Sequence, residues 1–171
     1  KHMDATVRQM AQSAVGQALE DAGLAAQDVE HVYFANAAAG LITGQEMIRA
    51  QAALRNTGLA GKPMSNFENA CASGSTALFH AWGAVRSGMV DVALVVGAEK
   101  LSHPDKAVSF QAYGRAVDLE EPLPSHIGAG SGSIFMDIYA EKTRKYMRES
   151  GATPEDFARV VVKSRAAAAL N

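Results

Sequence analysis

Apolar residues spaced three and four apart open the chain: Val7, Met10, Ala11, Ala14, Val15, Ala18 and Leu19 share one stripe. That period is helical, and Thr6 with Gln9 ahead of it forms a capping box. Gly23 supplies the stop. Val32-Tyr33-Phe34 then predicts a short strand, followed by a small-residue run over 35–44 and a helix over 45–56 ending before Gly58. Residues 63–67 are extended by composition. A third helix is predicted over 73–87, with Ala77, Leu78, Ala81, Trp82 and Val85 on one face and Gly88 as its stop. The unbroken apolar run Val92-Ala93-Leu94-Val95-Val96 has strand length and suits a strand covered on both faces. Helices alternating with strands in this way predict an α/β fold with a mostly parallel sheet and helices on both faces.

After Leu101 the pattern changes. Residues 102–133 hold three of the five prolines and four glycines without sustained periodicity, which predicts a long irregular segment of functional or mobile character. Helical spacing returns over 135–148. It returns again from Thr153-Pro154-Glu155-Asp156, a start signal with proline in the first turn, through Phe157, Val160, Val161 and Ser164. The chain therefore divides into an α/β domain over 1–101 and a second segment over 102–171.

Composition narrows the function classes. A hydrophobic share of 48% against 20% charged residues suits a packed core and not a disordered chain. Net charge is −2 with acids and bases interspersed, so no nucleic-acid partner is expected. No apolar run reaches the ~18–20 residues of a membrane span, so no membrane partner is expected either. No basic-then-apolar leader precedes the first helix, and Lys1-His2-Met3 is compatible with a cloning remnant. One cysteine excludes an internal disulfide, and no CxxC or HExxH spacing points to a metal. A cytoplasmic, reducing setting suits it.

A lone cysteine is more often a small buried hydrophobe than a nucleophile. The surroundings of Cys71 argue otherwise. In Asn66-Phe67-Glu68-Asn69-Ala70-Cys71-Ala72-Ser73-Gly74-Ser75-Thr76-Ala77-Leu78 an extended segment leads into a tight turn, and a helix of small residues begins just after the sulfur. Unpaired N–H groups at a helix start stabilise a thiolate and lower its pKa from ~8.5. The same amides can hold the oxyanion formed when a thioester carbonyl is attacked. Ala72, Ser73 and Gly74 leave room for a substrate or another backbone.

The run Glu68-Asn69-Ala70-Cys71-Ala72-Ser73-Gly74-Ser75 resembles the nucleophile motif of thiolases. Residues 40–58, with Gly44-Gln45 and the alanine-rich helix, resemble the segment before that motif. Val95-Val96-Gly97-Ala98-Glu99-Lys100-Leu101-Ser102 resembles the strand and Gly-x-Glu turn after it. Phe135-Met136-Asp137-Ile138-Tyr139-Ala140 and residues 153–164 resemble the sterol-carrier-protein type and its bacterial relatives, where a helical loop domain covers the active site. The resemblance implies that Cys71 takes an acyl group from a 3-oxoacyl-CoA and passes it to coenzyme A, with coenzyme A as substrate and no separate cofactor. It implies Claisen condensation in the reverse direction, and a homodimer paired near the nucleophile, for which 63–69 and 92–96 are the candidate segments. His126 and Met136 are the candidate substrate contacts.

The resemblance also marks what is missing. The strand expected before the first helix is not there. The family's histidine base and second cysteine belong to a second half, and this chain has no second cysteine. That implies a fragment, or a subunit awaiting its complement. Two other readings stand beside acyl transfer: an aldolase or ketosynthase relative working with a small zinc-ribbon and oligonucleotide-binding-type subunit, or a binding half with an inert cysteine. An intact cysteine motif favours acyl transfer.

Other candidates have plainer readings. His80 lies more than two turns beyond Cys71 on its helix, His31 opens a strand, and His103 sits in the irregular segment. Gly128-Ala129-Gly130-Ser131-Gly132 lacks the lysine and the preceding strand of a phosphate loop, so a flexible entrance loop is expected. Lys142, Arg144, Lys145, Arg148, Arg159, Lys163 and Arg165 fit a solvated helix face, with coenzyme A phosphates as the alternative.

Overall fold

A computed structural model describes residues 3–129 and 131–170; Lys1, His2, Asn171 and Gly130 of the glycine-rich run lie outside the described residues. The chain forms two compact units, Lys1–Val117 and Asp118–Asn171.

The first unit is built on three parallel strands, β1 (His31–Ala35), β2 (Met64–Phe67) and β3 (Ala93–Gly97), in the order β2-β1-β3. Val32 pairs with Met64 on one side and Leu94 on the other. Strand alternation sorts the side chains. Val32, Phe34, Leu94 and Val96 face a core closed by α1 (Val7–Ala22) and α3 (Arg49–Ala53), through Ala11, Val15, Ala50 and Ala53. Tyr33 and Ala35 face the opposite way, onto Ala77, Ala81 and Ala84 of α4 (Ser73–Arg86). The sheet is thus covered on both faces, as expected for parallel strands joined by helical crossovers.

Helix α1 starts as its sequence predicts. Thr6 Oγ1 accepts from Gln9 N at 3.1 Å, Thr6 N donates to Gln9 Oε1 at 2.8 Å, and Gly23 closes the helix at φ 65°. The segment expected as one helix over 45–56 is broken. A short α2 (Ala39–Thr43) forms earlier, within the small-residue run, and only Arg49–Ala53 is helical afterwards. Gly44 takes a left-handed φ of 81° and Ile48 one of 47°, which stops any continuous helix between them. Gly40 explains the fold-back, because a Cβ there would lie 2.9 Å from Glu46 Cα. Helix α3 is started from a distance: Asn66 Oδ1, at the end of β2, accepts from Ala50 N at 2.7 Å.

Helix α4 differs from its predicted face. Its alanines meet the sheet, whereas Leu78, Phe79, Trp82 and Val85 are exposed, Trp82 by 60%. Small residues let the helix axis approach the strands closely; the large ones have no seat there. A row of rings runs from His31 over Tyr33 and Phe67 to His80, with neighbouring centroids 4.3, 6.0 and 5.0 Å apart.

The irregular segment expected over 102–133 contains a helix, α5 (Lys106–Gly114). Asp105 caps it, Oδ1 accepting from Ala107 N at 2.9 Å, and Ala112 is buried. The second unit holds α6 (Ile134–Ser150) and α7 (Pro154–Ala168), close to the predicted spans. Tyr146 and Phe157 meet edge-on between them, with centroids 6.2 Å apart. Among the described residues no helix is long and apolar enough to cross a membrane.

Candidate active site

Cys71 sits past the carboxyl end of β2, in a single 3-10 turn (Ala70–Ala72) that runs straight into α4. Its thiol is free and exposed. It lies outside the carboxyl ends of the strands, the side of a parallel α/β sheet where ligands bind.

The turn has an unusual backbone. Ala70 holds φ 44°, a left-handed value that costs a non-glycine residue about 1–2 kcal/mol. Side chains from both sides hold it. Ala70 N donates to Glu68 Oε1 at 2.7 Å, and Ala70 O accepts from Ser73 Oγ at 2.7 Å. Ser73 Oγ in turn accepts from Asn69 N at 2.9 Å, and Asn69 Nδ2 donates to Thr76 Oγ1 at 3.0 Å. The first turn of α4, by contrast, has no side-chain cap. The Ser73 amide donates to Ala70 O within the turn, and no side chain takes the amides that follow it, whereas α1 and α5 are capped by Thr6 and Asp105. A Cβ at Gly74 would meet nothing within 4 Å, so the face beside Cys71 is open.

Behind the turn lies a polar knot at the strand ends. Asn36, 4% exposed, follows β1; its amide donates to Phe67 O at 3.1 Å and its Nδ2 to Ala98 O at 2.7 Å. Glu99 Oε2 accepts from Ala37 N and Ala38 N, both at 2.9 Å, and Oε1 from Lys100 N at 2.9 Å and Asn36 Nδ2 at 3.3 Å. Arg49 Nη1 donates to Asn36 O, Asn36 Oδ1 and Ala37 O at 3.1, 2.8 and 3.0 Å. Residues 36–38 are therefore clamped from two sides. Ala37 and Ala38 line a cleft of about 550 Å³ with Leu41, Arg49, Arg115 and the 68–70 stretch leading into Cys71.

His126 and Met136 belong to the second unit and Cys71 to the first. His126 is exposed, with Nε2 3.4 Å from Glu141, and borders a cleft of about 380 Å³ with Arg144 and Arg148. Met136 is exposed near the start of α6. Two donors of the glycine-rich run are engaged within the second unit. Gly128 N donates to Asp137 Oδ2 at 2.7 Å and Ser131 Oγ to Asp137 Oδ1 at 2.8 Å, so these two donors are turned to a carboxylate of α6. His31 bonds Ser65 Oγ at 2.9 Å, His80 stacks on Phe67 and His103 meets Asp105 in its own loop. None of the three is brought to Cys71. Among the described residues no group of three or more His, Cys, Asp or Glu side chains could hold a metal.

A strand, a strained turn and an uncapped helix start converge on one exposed thiol, and comparison with known proteins gives that arrangement a lineage. The family described as "Thiolase, N-terminal domain" matches residues 1–171. The chain belongs to the thiolase family. Acetyl-CoA acetyltransferases of Methanocaldococcus jannaschii and Methanothermobacter thermautotrophicus are 39% identical to it over 142 residues and 36% over 159. These matches cover 82% and 93% of this thiolase domain, but 34% and 39% of the relatives. Sterol carrier protein 2 of Gallus gallus is 30% identical over 162 residues, covering 91% of the chain and 28% of that protein. This thiolase domain therefore spans about a third of the length of those relatives.

Sequence reasoning singled out Cys71 and its turn but passed over the knot behind them. Asn36 was the available signal: a single amide side chain between an apolar strand and a run of alanines, where a buried polar group needs partners. Arg49 stood in the resembling segment and Glu99 in the resembling turn without a role.

Proposed function

We propose that the protein containing this domain transfers an acyl group between a 3-oxoacyl-CoA and coenzyme A, with Cys71 as the carrier. The single observation that carries the reading is an exposed thiol at a helix start without a side-chain cap, next to the left-handed Ala70. The Cys71 sulfur attacks the 3-oxo carbon and a carbon–sulfur bond forms. The bond between that carbon and the neighbouring CH₂ breaks, and its electron pair leaves on the departing acyl-CoA, which takes up a proton. Coenzyme A then gives up its thiol proton and attacks the thioester carbon, and the bond to Cys71 breaks. The α4 start, which carries no side-chain cap, supplies the backbone amides that would stabilise charge developing at sulfur and carbonyl oxygen. The groups that move the two protons belong, on the family pattern, to the half of the enzyme beyond this domain. Coenzyme A is a substrate here, and the scheme needs no further cofactor.

His126 and Met136 are the proposed substrate contacts, each exposed within its own unit. A homodimer and a cytoplasmic setting complete the proposal. Support for the dimer comes from β2, which pairs with β1 on one side only. Support for the setting is a lone exposed thiol that oxidation would inactivate.

The test mixes the full-length protein with acetoacetyl-CoA, quenches in acid and maps the peptides by mass spectrometry. An acetyl mass on the peptide containing Cys71 is expected, together with a fall in turnover of at least ~10³-fold in Cys71→Ala. Wild type that turns over substrate without an adduct at Cys71 would overturn the assignment.

A further inference from the structure

Ser73 is the first residue of α4 and only 5% exposed, yet its hydroxyl is not spent on capping that helix. It is turned backwards. It accepts from Asn69 N at 2.9 Å and donates to Ala70 O at 2.7 Å, one bond on each side of the peptide that enters the left-handed residue. Ala70 N is anchored separately by Glu68 and Ala72 N by Asn69 O at 2.8 Å. Both neighbours of Cys71 are therefore tied, Ala72 also through its carbonyl to Ser75 Oγ at 3.1 Å, and the Ser73 hydroxyl is the side chain that bridges residues 69 and 70.

We propose that Ser73 is a positioning residue for Cys71, its bridging hydroxyl holding the 69–70 backbone in the left-handed turn that seats the thiol at the open start of α4. The proposal rests on the acyl-transfer reading for its kinetic consequence, but its geometric content stands apart from it. Alanine at 73 would leave Asn69 N without its acceptor and Ala70 O with the backbone amide of residue 73 alone, and the turn would relax toward a right-handed φ. Rotation at Ala70 carries the sulfur of the next residue through a displacement on the scale that costs catalysis about 100-fold. Threonine at 73 keeps the hydroxyl.

The experiment compares wild type, Ser73→Ala and Ser73→Thr in the full-length protein. Three measurements are made: kcat and KM with acetoacetyl-CoA, the rate of iodoacetamide alkylation of Cys71, and the urea midpoint. For Ser73→Ala we expect kcat to fall about 10- to 100-fold with KM within about twofold. Alkylation should slow about two- to fivefold as the sulfur loses its place at the helix terminus. Ser73→Thr should recover both to within about threefold of wild type. A folded Ser73→Ala with wild-type kcat and alkylation rate overturns the proposal. So does an alanine variant that cannot fold, or a threonine variant no faster than alanine, since either makes Ser73 a structural residue. A wild type that forms no acyl adduct strikes the acyl-transfer reading instead, and the alkylation comparison still decides the role of Ser73.

Discussion

Glu99 offers the sharpest test of how the site is supported, because all four of its hydrogen-bond partners are donors. Glutamine is the usual mild replacement for glutamate, but here its NH₂ would face an N–H group in either orientation. If it turns toward Ala37 and Ala38, two backbone amides lose their acceptor; if it turns the other way, Lys100 N and Asn36 Nδ2 do. A hydrogen bond to a charged group contributes about 1.5–3 kcal/mol net, and the partly exposed site lets water recover some of that. Glu99→Gln should therefore cost about 1–2 kcal/mol, and Glu99→Ala, which deprives all four donors, about 2–4 kcal/mol. Urea unfolding of the full-length protein reads this as a lower midpoint at unchanged slope. Both variants should also lose turnover, since the clamped residues 37 and 38 line the cleft beside the turn. A glutamine variant unfolding at the wild-type midpoint would refute the argument, because it would show that the acceptor pattern carries no energy.

Two further outcomes follow from local geometry. Gly40→Ala would bring a Cβ to 2.9 Å from Glu46 Cα and 3.0 Å from Gln45 O, both backbone atoms, so the 45–46 crossing must shift. We expect a loss of about 1–3 kcal/mol by urea titration, and equal midpoints would remove the steric account of α2. At Asp156, donation from the Thr153 amide and then the Thr153 hydroxyl holds the carboxyl below its ordinary 3.8. Its folded-state value is the lower one, so its contribution to the α7 start is complete above the unfolded value and lost as pH falls through the folded one. An NMR titration of the Asp156 carboxyl should show a midpoint below 3.8 that rises only part of the way in Thr153→Ala, because the amide remains; a midpoint at or above 3.8 in wild type would contradict the capping geometry.

The parts of the fold written in the sequence are those where neighbours along the chain supply the physics. Thr6 and Gln9, Gly23, and Thr153 with Pro154 mark helix ends by bonds that span three or four residues, and the structure forms each of them. The broken helix over 45–56 was illegible because its start is made by Asn66, sixteen positions away, and its interruption by a fold-back onto Gly40. Helix α5 could have been found: Asp105 is a good cap, and nothing between Lys106 and Tyr113 opposes a helix. The prolines on either side drew the eye to irregularity.

The same division explains the site. Cys71 was legible because a helix start and its turn are local, and the motif that builds them is contiguous. What ties the strand ends behind the turn is not local. Asn36 reaches Ala98 across 62 positions, and Glu99 reaches back to the amides of 37 and 38 across a similar span. Helix α4 joins the two scales. Its alanines fix the distance to the sheet, and with it the height at which Ser73 meets the end of β2. Its large apolar side chains point away, so the helix that follows Cys71 is held from one side only among the described residues. A turn that must keep Ala70 left-handed on such a helix depends on its own hydrogen bonds more than a doubly packed one would. That is why the hydroxyl of Ser73 and the acceptors of Glu99, and not the bulk of the core, are the places where small substitutions should reach the chemistry.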